Sequence, residues 1–587
     1  MYESRPWLAH YGETPASLEY PRSSLFGMLE ADAARNPRIA ALKFMGRTIP
    51  KDDLLERVVL MSRAFSAAGI RPGERVIICL PNVPQAVIAF YALSRLGAIP
   101  APIHPLSTPS EIASFARIAS SSWAITLDGF YPRFAECSSA AELHSAAELL
   151  RGTEGPRRVI VCSIKGEAGF PISIGYALGP GRKIATVPYG EDVLSWRRME
   201  DEARFAPELE APDPLGADDP ALILFSGGST GESKAILLTN MNCNALAAQT
   251  NAAGGPILPG ETMLSILPMF HGFGLAVGIH AILVHGGTCA LVPRFKASEL
   301  SALVRKHRPA FMAGVPTLYD ALSADPGFRK TDLSSFKGIF CGGDSLSPET
   351  KYRFEEVLRK NGCSADLREG YGMTESVTAN MLMPRHEYRE RSIGVPYPDM
   401  LAKVVRPGTT EECAPMEEGE ICVSGPTVMP GYLDNVEATA EVLKKHADGR
   451  IWLHSGDIGC MDADGFFYFK QRAKRIIKTS GIAVYPTQVE DVLNKHPAVR
   501  LSCVIGVPHP TQVEVPKGFV TLNEGYSASS DLERELIDHC RQRLIPHSCP
   551  RKIEFLPELP MTRVGKVAFR VLQERESESA EIEAKSR

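Results

Sequence analysis

From Leu25 to about Ala119, short all-apolar runs alternate with stretches in which apolar residues recur every three or four positions. Arg75-Val76-Ile77-Ile78-Cys79-Leu80 reads as a buried strand after the Pro72-Gly73 turn, and Pro84–Leu96 has helical spacing with Gly97 as its stop. The alternation returns from Pro220 to about Asn380, predicting strands at 263–268, 310–314 and 336–341 and a helix near 298–307. Such alternation implies an α/β fold. From Ser392 to Lys470 short strands and turns dominate, as in Gly419-Glu420-Ile421-Cys422-Val423, predicting a small β-barrel or sandwich near 392–470. The charge run Gln471-Arg472-Ala473-Lys474-Arg475 reads as a linker. Beyond it, strands near 476–478, 501–507 and 515–522 and helices near 486–495 and 529–543 predict a compact α+β unit. The tail after Glu574 is charged and is expected to fray.

At 587 residues the chain exceeds one hydrophobic core. The expected organisation is a large N-terminal domain, 1–471, of two α/β subdomains plus the β-barrel, and a small mobile α+β domain, 472–587. Residues 152–200 break the rhythm with Gly, Pro and basic residues among apolar ones. They read as a solvated surface loop, or, across 157–183, as a basic and apolar face for peripheral contact with an anionic membrane.

Between the apolar runs Ala221–Phe225 and Ala235–Leu238 lies Ser226-Gly227-Gly228-Ser229-Thr230-Gly231-Glu232-Ser233-Lys234. Glycines let backbone N–H groups approach an anion, hydroxyls add donors and Lys234 adds charge, so a polyphosphate suits this loop as well as a plain hairpin does. Gly227-Gly228-Ser229-Thr230-Gly231 also fits the G-x-S-x-G nucleophile elbow, which must open a helix, whereas the residues after Lys234 read as strand. A Walker loop needs Gly before the lysine and Ser or Thr after it, and Ser233 and Ala235 stand there. Gly272-Phe273-Gly274-Leu275-Ala276-Val277-Gly278 resembles a dinucleotide turn, but Pro268-Met269-Phe270-His271 intrudes where such a turn is tight.

Composition narrows the compartment and the partners. A net charge of −5 gives no global attraction to nucleic acid. Thirteen cysteines without a C-x2-C pair argue against a disulfide framework or a zinc site and fit a reducing cytoplasm. The N-terminus lacks a signal-peptide pattern, and no run of 18 apolar residues occurs.

Four further stretches stand in order after the glycine-rich loop: Glu369-Gly370-Tyr371-Gly372-Met373-Thr374-Glu375, Trp452-Leu453-His454-Ser455-Gly456-Asp457, Arg472 through Lys478 to Gly481, and Pro560-Met561-Thr562-Arg563-Val564-Gly565-Lys566. In this order and spacing the chain resembles, over nearly its whole length, the adenylate-forming family of acyl-CoA synthetases, luciferases and peptide-synthetase adenylation domains. The resemblance implies that a carboxylic acid reacts with ATP to give acyl-AMP and pyrophosphate, and that coenzyme A then displaces AMP. It implies ATP, Mg²⁺ and coenzyme A as cofactors, with Ser226 through Gly231 and Lys234 holding phosphates. Tyr371 and Gly372 would face adenine, Thr374 the α-phosphate, Glu375 Mg²⁺, Asp457 the ribose, and Arg472 the ribose or a phosphate. Lys566 would bridge the carboxylate and the α-phosphate, with Thr230 sharing the phosphate charge. His271 would line the acyl site and the thiol path, and Gly343, with Gly314 and Gly342, would leave room for the acyl group. Lys478 and Gly481 would line the coenzyme A channel once the small domain turns on a hinge at 472–475.

Each residue also has an ordinary reading: a turn for Tyr371, a turn cap for Asp457, a solvated charge for Arg472, a surface lysine for Lys566 and a structural histidine for His271. The flanking residues Ser233, Ala235, Asn240, Gln471 and Arg475 depart from the family's usual choices. The lead-in Pro6-Trp7, Tyr11 and Leu18-Glu19-Tyr20-Pro21 resembles that of long-chain fatty-acyl-CoA synthetases and favours a medium- or long-chain acid over an aryl acid. A nicotinamide oxidoreductase and a non-catalytic acyl- or nucleotide-binding protein are the rival classes.

Overall fold

The computed structural model describes residues 2–139, 158–169, 172–173, 184–205, 215–226, 233–479, 482–509, 512–562 and 566–586. Its largest element is a nine-stranded sheet whose inner strands are parallel: Ala40–Phe44, Thr288–Leu291, Thr262–Ser265, Phe311–Gly314, Gly338–Cys341 and Leu367–Tyr371. These strands are mostly buried, and their near-continuous apolar runs suit parallel strands covered on both faces. A second sheet orders Ile99–Pro102, Arg75–Cys79, Trp123–Leu127, Arg158–Cys162 and Val193–Ser195, all parallel. Between the sheets packs Pro84–Leu96, apolar nearly all round, begun by Pro84 and ended by Gly97 at φ +80°, whose N–H bonds Leu93 and Ser94 carbonyls.

Arg158–Cys162 corrects the reading of 152–200 as loop. It is an interior strand, and the Arg158 guanidinium donates to Ala68 O at 2.6 Å and lies over the Trp123 ring, so this residue is spent on the protein and not on a lipid surface. Arg157, Arg182 and Lys183 fall outside the described residues.

The stretch after Ser392 forms a five-stranded antiparallel sheet in which Ile451–Met461 pairs with Gly419–Ser424, Leu443–Lys445 and Phe467–Arg472, and Leu401–Val405 closes the edge. The final sheet is built from Ile477–Thr479, Ile482–Val484, Val499–His509, Val513–Leu522 and Lys552–Phe555, with helices Pro486–Asn494 and Ser530–Arg541 beside it. A large N-terminal α/β part is thus followed by a small α+β part.

A further reading is corrected. The tail does not fray at Glu574: Phe569–Ser586 is helical, fastened by Leu572 in the core and by Lys517 Nζ on Glu576 Oε1 at 2.6 Å. In the run 471–475, Arg472 and Ala473 are exposed while Gln471 and Arg475 are packed. Gln471 is fully buried, and Ala473–Arg475 form a tight turn whose Arg475 bonds Glu490 at 2.5 Å and stacks on Phe569.

Candidate active site

The carboxyl ends of Phe311–Gly314, Gly338–Cys341 and Leu367–Tyr371 open into one cleft of ≈ 1420 Å³, the place where open parallel sheets bind ligands. Gly342-Gly343-Asp344 continues the second of these strands and Gly372-Met373-Thr374-Glu375 the third. The antiparallel sheet delivers Asp457 and Arg472, paired across adjacent strands, to the same cleft.

Tyr371 OH donates to Asp457 Oδ2 at 2.7 Å, and Arg472 Nε lies 3.2 Å from Asp457 Oδ1. Oδ1 itself makes no hydrogen bond although it is buried, which leaves it an acceptor for a ligand hydroxyl. Burial pushes the Asp457 carboxyl above its ordinary range against the opposing pull of Arg472 and Tyr371. Arg472 is held more strongly protonated, chiefly by Asp457.

Glu375 Oε1 accepts from Tyr432 OH at 2.9 Å, and Tyr432 lies under Lys234, whose Nζ is 4.8 Å from the ring centroid. One Glu375 oxygen is thereby oriented and the other is left for a hard cation. Ser226 and Lys234 face each other across the hairpin of Pro220–Ser226 and Lys234–Thr239. That second strand is incompatible with a nucleophile elbow, which requires a helix. Gly227, Gly228, Ser229, Thr230 and Gly231 lie outside the described residues, as does Gly481, while Lys478 lies in strand Ile477–Thr479 opposite Ala483.

Lys566 reaches the cleft from the small domain. A Cβ added to Gly343, which has φ +88°, would lie 3.5 Å from Lys566 Cε and 3.8 Å from Nζ. Burial lowers the Lys566 pKa, Asp344 and Asp457 oppose that, and Arg472 adds to it. Burial and the Lys566 cation together push His271 down to about 4, so its imidazole is neutral at pH 7. His271 Nδ1 accepts from Phe273 N at 3.2 Å, which leaves the proton on Nε2.

After His271 the chain runs into the π-helix Phe273–His280, which presents Phe273 and Val277 to the cleft. Residues Ile266–His271 separate it from strand Thr262–Ser265, and a Cβ on Gly272 would overlap Val377 O. These glycines serve close packing, and the dinucleotide-turn reading fails. Val377 itself holds φ +68°, a backbone strain that for a β-branched residue points to a site. Gly314 does not widen the cleft: a Cβ there would meet Leu318 and Tyr319 at 3.0 and 3.1 Å.

The apolar lining continues past Phe340 to Gly254 and Thr250 and to Tyr397. The N-terminal lead-in braces that last wall, with Tyr11 OH on Pro396 O at 2.7 Å and Tyr20 OH on Asp399 at 2.7 Å. Sequence reasoning passed over Tyr432, Asp344 and Glu420. Tyr432 and Glu420 sit in short strands with no motif signal, and Asp344 follows the quoted Gly342-Gly343 pair.

Residues 29–433 match the model of the AMP-binding enzyme family, and residues 488–566 match that of the AMP-binding enzyme C-terminal domain. The chain is 34% identical over 592 residues to a long-chain-fatty-acid–CoA ligase of Bacillus subtilis, covering 99% of this chain and 100% of that one. It is 31% identical to a feruloyl-CoA synthase of Amycolatopsis, over 91% of this chain and 95% of that one. The fold matches ATP-bound MatB from Rhodopseudomonas palustris with a TM-score of 0.79 at 24% identity, over 94% and 99% of the two chains. The chain belongs to the AMP-binding, adenylate-forming enzyme family.

Proposed function

We propose that this protein is an AMP-forming acid–thiol ligase that converts a long-chain fatty acid to its coenzyme A thioester. The observation that carries the reading is the Lys566 side chain lying against Gly343, between the Tyr371–Asp457–Arg472 group and the apolar pocket that starts at His271 and Phe273. A cation at that junction serves a reaction that joins a carboxylate from the apolar side to a phosphate from the polar side.

In the first step a carboxylate oxygen attacks the α-phosphorus of ATP, the P–O bond to the β-phosphate breaks, and pyrophosphate leaves. Lys566 balances the charge of the attacking carboxylate and the α-phosphate. Tyr371 offers its ring to adenine, Asp457 accepts from ribose, Thr374 donates to the α-phosphate, and Ser226 and Lys234 lie on the pyrophosphate side with the glycine-rich loop through Thr230. Glu375 would hold Mg²⁺, which supplies charge neutralisation for the phosphates. In the second step the thiol of coenzyme A attacks the acyl carbonyl and AMP departs with the bonding electrons. Neutral His271 lets the thiol pass without a competing cation. Lys478 and Gly481 are assigned to that step, with 472–475 as the pivot between the 1–471 and 472–587 domains.

The acid is assigned from the pocket and the relatives together. Its lining takes in His271, Phe273, Val277, Phe340, Gly254 and Thr250, and the Bacillus subtilis long-chain ligase spans the whole chain at higher identity than the feruloyl-CoA synthase. The second reading, an aryl-CoA ligase, rests on that feruloyl relative and on the aromatic walls Phe273, Phe340 and Tyr397. All thirteen cysteines are free and buried, which suits a reducing cytoplasm, and no described helix is long and apolar enough to cross a membrane.

The test is AMP release from ATP, Mg²⁺ and coenzyme A over a panel of acids. Release that depends on the acid and is faster with long saturated acids than with ferulate or benzoate supports the assignment. Faster release with the aryl acids transfers it to the second reading, and no release with any acid rejects both.

A further inference from the structure

Asp457 stands on an irregularity of the antiparallel sheet. Along Gly419–Ser424, Glu420 pairs with Ile458 and Cys422, two residues on, pairs with His454, so Ser455, Gly456 and Asp457 are forced into a bulge. Gly456 takes φ +71° at its crest, while Asp457 is turned inward and buried. Two contacts fasten the bulge to the neighbouring strand. Ser455 Oγ donates to Ile421 O at 2.6 Å and accepts from Asp457 N at 3.0 Å. Glu420 holds the rest: Oε1 accepts from Gly456 N at 2.9 Å, and Oε2 meets His454 Nδ1 at 2.8 Å.

His454 is fixed in turn by His446, with their Nε2 atoms 2.9 Å apart and both rings buried. An ionised Glu420 oxygen can only accept, so His454 turns a proton to it from Nδ1 and meets His446 at Nε2. Burial pushes the Glu420 carboxyl up, but the His454 and Gly456 N–H contacts outweigh it and hold the group below its usual range. The Cys422 thiol lies nearby, and one ligand atom each from Glu420, Cys422 and His454 fall within 4.8 Å of one another. Both His454 nitrogens are already engaged, so the cluster acts as a hydrogen-bonded chain and not as a metal centre.

We propose that Glu420 is a positioning residue for the nucleotide ribose: by gripping Gly456 N and His454 at once, it sets the bulge that aims the carboxylate of Asp457. The inference rests on the reading of Asp457 as the ribose acceptor. Glu420 touches no substrate in this role and acts only through Asp457.

The test compares kcat/KM for ATP with that for 2′-deoxy-ATP and 3′-deoxy-ATP, by pyrophosphate release in the full-length enzyme. Asp457→Asn reports on the ribose reading, and Glu420→Ala and Glu420→Gln on the positioning role. Wild type is expected to favour ATP over at least one deoxy analogue, and Asp457→Asn to lose that preference. Glu420→Ala is expected to lose about tenfold of it, mostly through KM, because the carboxylate is no longer aimed. Glu420→Gln is expected to keep most of the preference: its amide oxygen still accepts from Gly456 N, and its NH₂ can donate to His454 Nδ1 once the two histidines exchange tautomers. Should Glu420→Ala not fold, Glu420→Asp, one methylene too short to reach both partners, carries the same expectation. Wild-type preference in Glu420→Ala, or in its Asp stand-in, overturns the inference while leaving the ribose reading intact. Wild-type preference in Asp457→Asn overturns the ribose reading itself, and the inference with it.

Discussion

Tyr371 and Asp457, on strands of two different sheets, are joined by a 2.7 Å hydrogen bond inside the cleft. The phenol is one of two groups that satisfy a buried carboxylate, so its loss leaves Asp457 to Arg472 alone. Tyr371→Phe keeps the ring for stacking and removes only the donor. A buried partner lost in this way costs about 1–2 kcal/mol, so KM for ATP should rise roughly 5- to 30-fold with kcat little changed. Initial rates of pyrophosphate release at varied ATP check this, and an unchanged KM would show that the phenol does not orient Asp457.

The pH dependence of adenylation follows from the position of Lys566. Burial lowers its pKa from the ordinary lysine value, and Asp344 is the foremost group that opposes the drop. The reaction needs the cation, so activity should fall as pH rises through a pKa below that of a free lysine. Asp344→Asn removes a charge that favours the ammonium, and the alkaline limb should move to lower pH. Profiles of kcat/KM for pyrophosphate release decide the point, and a limb that stays put or moves upward refutes it.

What could be read in advance, and what could not, divides along a physical line. Pro84–Leu96 was legible to the residue because its proline start and glycine stop are local signals. Arg158–Cys162 was missed because the strands that hold it, Trp123–Leu127 and Val193–Ser195, are distant in sequence. The C-terminal helix looked like a charged tail because its fastenings, Lys517 and Glu554, lie on another sheet. The same holds in the cleft. Tyr371, Glu375, Asp457 and Lys566 sit in recognisable motifs, and the fold brings them together. Glu420 and Tyr432 bond residues far from them in sequence, Gly456 and Glu375, which leaves no mark on their own segments.

Glu369 gives a prediction on stability. Burial raises its pKa from 4.5 to about 7. The folded state therefore binds more protons than the unfolded state between these values, and stability is lost as pH rises through about 7. At pH 8 the ionised, buried carboxylate costs about 3 kcal/mol, from roughly 1.4 kcal/mol per pKa unit. Glu369→Gln is uncharged at every pH, so its Tm should exceed that of wild type at pH 8, and the gap should shrink as pH falls towards 5. A gap that is constant with pH would assign the effect to packing.

Tyr432 ties Glu375 and Lys234 together, since its OH bonds Glu375 and its ring underlies Lys234. Tyr432→Phe keeps the ring beneath the ammonium and frees the Glu375 carboxylate. A hydrogen bond to a charged group contributes about 1.5–3 kcal/mol, so the Mg²⁺ concentration for half-maximal rate should rise by at least about tenfold. Lys234→Ala should instead weaken ATP-dependent adenylation far more than the conversion of supplied acyl-AMP, because pyrophosphate is absent from the second step. Equal loss in both half-reactions would remove Lys234 from the pyrophosphate side.

The last prediction separates the half-reactions through Lys566. In this structure the side chain lies against Gly343 and close enough to His271 to lower its pKa, an arrangement suited to forming acyl-AMP. Its backbone is tied on either side, with Thr562 N donating to Lys566 O at 2.6 Å and Met561 bridging Val567. A cation about 4 Å from developing negative charge is worth about 4 kcal/mol at an effective dielectric of 20, or about a thousandfold in rate. Lys566→Ala should lose acyl-AMP formation by about that factor, measured as pyrophosphate release. On the proposed reading the second step forms a C–S bond and expels AMP, with coenzyme A taking the room where the lysine now stands. Supplied acyl-AMP should therefore still become thioester in Lys566→Ala at a rate near that of wild type. Equal impairment of the two steps would mean that Lys566 supports the cleft as a whole, and the division of labour between the faces of the small domain would have to be abandoned.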